Sequence, residues 1–142
     1  MSDSTIRRVG GFAVRCLAVA WAFPGTAVGL CLGGLAVALG GRCQGVGGAL
    51  EFYGGPIPRV LGDVVGAVAI TFGHTILGLD RAILDSVRVH EHVHVRQYER
   101  WGPLFIPAYL ACSAWLRATG GHPYLDNPFE VEAFQKDGSG RR

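Results

Sequence analysis

His90-Glu91-His92-Val93-His94 contains the pattern H-E-x-x-H. On a helix, two histidines four residues apart project from one face, about one turn apart. Both imidazoles can then reach a single zinc ion at about 2.0–2.1 Å. The glutamate after the first histidine stands over the open metal position, where it can take a proton from a bound water. Ile83, Val87, His90, His94, Tyr98 and Trp101 recur at spacings of three or four and form an apolar stripe. That pattern puts both motif histidines on the inward face. Arg81, Asp85, Arg88, His92, Arg96 and Glu99 form the opposite, solvated face, which excludes His92 as a ligand. Two core histidines without a partner would leave buried ring nitrogens unsatisfied. A catalytic zinc needs a third protein ligand, and His122, Asp126, Glu130 and Glu132 lie downstream. Asn127-Pro128 opens a helix and places Glu130 three residues after the cap. Glu130 is therefore either the third ligand or one half of a capping box. We favour the ligand, with Glu132 and His122 as alternatives.

The elements that must hold these residues can be read around them. Asp80 caps a helix expected from Arg81 to about Trp101, ended by Gly102-Pro103. Residues 103–117 form an apolar helix, too short for a bilayer span and suited to burial or a membrane surface. A last helix runs from Asn127-Pro128 to about Gln135, followed by a loose tail. Upstream, Ala49 to Tyr53 read as a short strand and residues 57–65 as a short helix. Residues 67–77 read as a second strand, with Val68, Ile70, Phe72, His74 and Ile76 on one face. The expected fold is α+β and mostly helical: an N-terminal membrane segment, strands at about 49–53 and 67–77, the H-E-x-x-H helix and two further helices.

Residues 16–41 hold 26 consecutive residues without charge. This exceeds the apolar region of a signal peptide and suffices for a bilayer, which needs about 20 residues. It is expected to be a kinked spanning helix or a re-entrant hairpin turning at Pro24-Gly25. The arginines before it lean toward a cytoplasmic N-terminus. The expected organisation is a membrane segment over 1–41, one small domain over 42–136 and a disordered tail over 137–142. With 142 residues there is room for one compact domain. Charged residues make up 17% and hydrophobic ones 49%, which excludes disorder and a highly solvated surface. The net charge of +2 is scattered, so no basic stripe supports nucleic-acid binding. Cys16, Cys31, Cys43 and Cys112 form no C-x-x-C pair and read as reduced, buried hydrophobes.

His90-Glu91-x-x-His94 followed by Glu130-Val131-Glu132-Ala133 resembles the gluzincin zinc metallopeptidases. In that family two histidines and a glutamate on a following helix hold the zinc, often in an E-x-x-A context. The stretch from about Ile70 to Phe134 also looks like small bacterial membrane-linked proteins with H-E-x-x-H-x-x-Q, a W-G-P turn and N-P-F-E. The membrane-embedded prenyl-protein peptidases place Asp directly after E-x-x-A, where this chain has Phe134. The resemblance implies a minimal zincin-like fold with His90, His94 and Glu130 as ligands and Glu91 as general base. It also implies a strand, here 67–77, that pairs with extended substrate. His74 and Tyr124 are candidates to stabilise an oxyanion, although either suits an ordinary structural role. Gln97, one turn past His94, would hold a ligand in place or lie solvated; His122 could meet substrate. The expectation is a hydrolase of the bacterial plasma membrane, a metalloprotease cleaving peptide or protein substrate with a zinc-activated water. The rivals are a non-catalytic membrane protein with a closed structural zinc site, and a membrane interaction module.

Overall fold

A computed structural model describes residues 3–140, with side chains from Gly11 onward. Helix α1 (Asp3–Ala38) is continuous, with Pro24 inside it. The hairpin turning at Pro24-Gly25 is therefore not formed. Its stretch Gly11–Ala38 has 28 residues and a mean hydropathy of 1.7, long and apolar enough to cross a membrane by length and composition. One face of α1 is made of small residues at spacings of three or four: Ala22, Gly25, Gly29, Gly33 and Ala36, all buried. A Cβ at Gly29 would fall 1.6 Å from Thr75 Oγ1, and one at Gly33 would meet the Phe52 ring at 2.4 Å. The missing side chains let the helix backbone lie against the sheet, while Phe12, Leu17, Phe23 and Val28 stay exposed.

The sheet has the order β1-β2-β4-β3. β1 (Arg42–Val46) and β2 (Ala49–Tyr53) form an antiparallel hairpin joined through Gly47-Gly48. β1 has no apolar alternation, and its signal is the two-glycine turn. Helix α2 (Pro56–Val65) matches the short helix expected there. The segment 67–77 is not one strand. It is a hairpin of β3 (Ala69–Phe72) and β4 (Thr75–Gly78), antiparallel to each other, with β4 parallel to β2. Gly73, at φ 59, makes the reversal. The alternation consequently inverts: Ala69 and Thr71 are the buried residues of β3, and His74 sits in the turn.

Helix α3 (Arg81–Trp101) has the expected bounds, and the Asp80 carboxylate accepts from Ile83 N–H at 2.8 Å. Its inward face is wider than the predicted stripe. Leu84, Val93 and Val95 are buried, whereas Trp101 is 43% exposed. Ala49, Ala69, Ile76, Leu84 and Val95 make one core cluster; Ala22, Tyr98, Phe105 and Phe129 make another. A 3-10 turn (Gly102–Leu104) leads to α4 (Phe105–Thr119), and α5 (Pro128–Asp137) follows a loop. Lys136 and Asp137, expected in a loose tail, are the last residues of α5. The four cysteines are free, but Cys16, Cys31 and Cys43 are exposed rather than buried.

Arg88 also departs from the solvated face. It turns inward and forks onto the fully buried Glu51, with Nε 2.7 Å from Oε1 and an Nη 2.9 Å from Oε2. Burial alone would raise the Glu51 carboxyl, yet Arg88 and Gln44 hold it below its usual value. Arg88→Ala is expected to lower unfolding stability by about 3 kcal/mol, because it strands a buried carboxylate. Chemical denaturation of Arg88→Ala checks this, and a change within experimental scatter would show the pair to be dispensable.

Candidate metal centre

Helix geometry brings the first two donors together. His90 and His94 lie four residues apart on α3, both buried, with their Nε2 atoms 3.2 Å apart. The third donor comes from the first turn of α5. Buried Asn127 caps that helix by accepting from Phe129 N–H at 3.1 Å. Its amide also donates to Tyr109 O at 3.1 Å and Ser113 Oγ at 2.8 Å, which ties α5 to α4. Glu130 makes no capping box. It turns inward, with Oε2 3.0 Å from His90 Nε2 and Oε1 3.5 Å from His94 Nε2. The three ligand atoms lie within 4.8 Å of one another, and this buried group could hold a metal ion.

No family model, curated protein or solved structure matches this chain.

The donor set itself provides the test of fit. Donors about 2.05 Å from one ion at tetrahedral angles stand about 3.3 Å apart; the two Nε2 atoms are 3.2 Å apart, and Glu130 sets one oxygen 3.0 Å from His90 Nε2 and the other 3.5 Å from His94 Nε2. The other ring nitrogens fix the tautomers. Gln97 is fully buried, and its amide nitrogen donates to Phe129 O and to Glu132, each at 2.9 Å. Its oxygen therefore faces His94 Nδ1 at 2.8 Å, so that nitrogen carries the proton and Nε2 keeps its lone pair. His90 Nδ1 lies 2.9 Å from the Asp137 carboxylate, which can only accept while ionised, so its Nε2 is likewise turned to the centre. Before a metal enters, a proton on His90 Nε2 bridges to Glu130, and a divalent ion would take that proton's place between the imidazoles and the carboxylate.

Charge at the site follows from this packing. Burial pushes His90 down, but Glu130 and Asp137 more than offset it and leave it at about 9. The same imidazoles hold Glu130 down at about 2 against its burial. Burial raises Glu91, whose carboxylate accepts from Thr71 Oγ1 at 2.6 Å, and the neighbouring histidines recover only part of that shift. Tyr109 donates its hydroxyl to Glu130 Oε1 at 2.8 Å, and Tyr124 lies near enough to feel the Glu130 charge. Burial and then the Glu130 charge raise both phenols. A metal entering at neutral pH must displace the His90 proton. Zinc affinity is therefore expected to climb about tenfold per pH unit and to level off above the His90 value. Competition against a chromophoric chelator at several pH values reads this directly, and a flat profile would be incompatible with His90 as a ligand.

A cavity of about 260 Å³ opens beside the donors. Glu91, Tyr109 and Tyr124 line it together with the three candidate ligands, and Ile70, Phe72, Ile106 and Leu110 supply apolar walls. The other residues singled out in the sequence fall elsewhere. His74 does not line this cavity and pairs with Glu99 at 3.0 Å. His122 is exposed, and its Nδ1 accepts from the backbone N–H of Tyr124 and Leu125. Asp126 accepts from His122 N–H. Glu132 is taken up by Arg100 and Lys136. Gln97 holds His94 in place instead of lying solvated. Thr71, Tyr109 and Asp137 were not anticipated. Asp137 follows Glu130 by seven residues, two helical turns on the same face, and that spacing was a usable signal. Thr71 was hidden by the inverted strand face, and Tyr109 looked like one more residue of an apolar helix.

Proposed function

We propose that this chain is a small membrane-bound zinc metallopeptidase of gluzincin type, with His90, His94 and Glu130 as ligands and Glu91 as general base. The observation that carries this reading is the convergence of His90, His94 and Glu130 on one cavity wall, with Glu91 alongside and outside the donor group. Zinc, when bound there, would polarise a carbonyl and lower the pKa of a water to about 7. Glu91, raised by burial, suits the removal of a proton near neutral pH and its return to the leaving amine. The Thr71 hydroxyl fixes which Glu91 oxygen is free to do so. Tyr109 holds the Glu130 carboxylate, and Tyr109 and Tyr124 both line the cavity, where their hydroxyls can meet a substrate oxygen. β3 is an edge strand, and Ala69 to Phe72 line the cavity, which supports an extended peptide substrate pairing along that edge. The fold then reads as a minimal zincin-like arrangement of edge strand, motif helix and glutamate helix.

The long apolar α1 supports a membrane location, with the bacterial plasma membrane as the proposed site. Val60 and Val64 on α2 and Leu110 and Trp115 on α4 are also exposed. A closed structural zinc site has less support, because no fourth histidine, cysteine or carboxylate joins the group among the described residues. The experiment is zinc-dependent cleavage of a quenched apolar peptide library by the purified full chain, with the Glu91→Gln variant deciding the outcome.

A further inference from the structure

A second cavity, of about 440 Å³, lies on the other side of α3. It is walled by the start of the apolar stretch of α1, by the Gly47-Gly48 turn and by the polar face of α3. Its charged and titratable side chains are Arg15, His74, His92, Arg96 and Glu99. Glu99 is already engaged by His74 Nε2. Neither guanidinium has a hydrogen-bond or ion-pair partner among the described residues. His74 Nδ1 and His92 Nε2 are buried and also lack partners. Buried polar nitrogens without partners are costly and uncommon, and two around one cavity call for an explanation. A metal ion does not supply it, since the two guanidinium charges would repel a cation and these residues form no converging donor group. An anion with several oxygens does. Two planar guanidinium forks match a phosphate group, and an oxyanion accepts from His92 Nε2 in the tautomer that protonates it; His74 gives its Nε2–H to Glu99, so its Nδ1 keeps a lone pair and meets the anion only through a phosphate hydroxyl or a water.

We propose that this cavity binds a phosphate-bearing anion, gripped by Arg15 and Arg96. The volume exceeds what one phosphate needs and leaves room for a substituent. Arg15 lies four residues into the 28-residue apolar stretch that begins at Gly11, so in a bilayer the cavity falls at the headgroup level. The phosphate can therefore come from a phospholipid headgroup or from solution.

The full chain, purified in a neutral detergent, is titrated calorimetrically with dihexanoyl phosphatidylglycerol and, separately, with inorganic phosphate. Saturable binding of the lipid is expected. Arg15→Gln and Arg96→Gln should each weaken it at least about tenfold, the size of one lost charge-assisted contact. Both side chains are exposed and have no partner among the described residues, so the fold should survive, and the far-ultraviolet spectrum verifies that. His90→Ala, in the other cavity, should leave binding unchanged. Binding of the lipid alone supports the headgroup source, and binding of inorganic phosphate as well supports a soluble anion. Absence of saturable binding by both probes, or affinities unchanged in both arginine variants, overturns the proposal.

Discussion

Glu91→Gln is expected to lower peptide hydrolysis by about a thousandfold while the protein still binds one zinc per chain. The substitution is nearly isosteric and keeps an oxygen to accept from Thr71 Oγ1, which lies 2.6 Å from the native carboxylate. Glu91 stands outside the group formed by His90, His94 and Glu130, so its replacement leaves every candidate ligand in place. What disappears is the capacity to accept a proton. An amide in the same position cannot take one from water or return one to an amine. Loss of hydrolysis with metal retained therefore identifies Glu91 as the base. Full activity in Glu91→Gln would sink the peptidase reading outright. Loss of both activity and metal would move Glu91 into the metal's own coordination. The measurement pairs mass-spectrometric zinc content with initial rates on the same preparation.

The parts of the site carried by helical periodicity were legible, and those carried by tertiary contact were not. Spacing on α3 placed His90 and His94 together because an i, i+4 pair is a local fact of helix geometry. The Asn127-Pro128 start placed Glu130 at the head of α5 for the same reason, although the choice between cap and ligand needed the neighbouring helix. The strand reading failed at Gly73, where one glycine at positive φ converts an apparent run of eleven residues into a hairpin. Once the chain reverses there, the inward face becomes Ala69 and Thr71, and His74 moves to the turn beside Glu99. Arg88 was placed on the solvated face because an alternation pattern cannot show that Glu51, on β2, needs a buried cation. The same limit hid the packing face of α1. Only the sheet shows that Gly29 and Gly33 yield space to Thr75 and Phe52.

His94→Ala is expected to remove zinc from the purified protein, with an affinity loss greater than about 100-fold. The residues around His94 make this a sharper experiment than ligand deletion alone. Gln97 touches His94 through its amide oxygen and the α5 backbone through its amide nitrogen, so its two functions can be separated. Gln97→Ala removes both contacts and should weaken zinc by about 10–100-fold, the usual scale for a group that orients a ligand. Gln97→Glu keeps an acceptor for His94 Nδ1–H but loses the donor to Phe129 O. It should therefore retain most of the zinc affinity while unfolding more readily. A purely structural role for Gln97 predicts the opposite pattern, with affinity following stability in both variants. Glu132→Gln and His122→Ala should leave zinc content unchanged, because Glu132 is held by Arg100 and Lys136 and His122 by its own loop. Zinc that persists in His94→Ala but vanishes in His122→Ala would relocate the centre to the loop before α5. Zinc lost in His94→Ala and in Glu130→Gln, and kept in the other two, would fix its ligands as the three donors that already face one another.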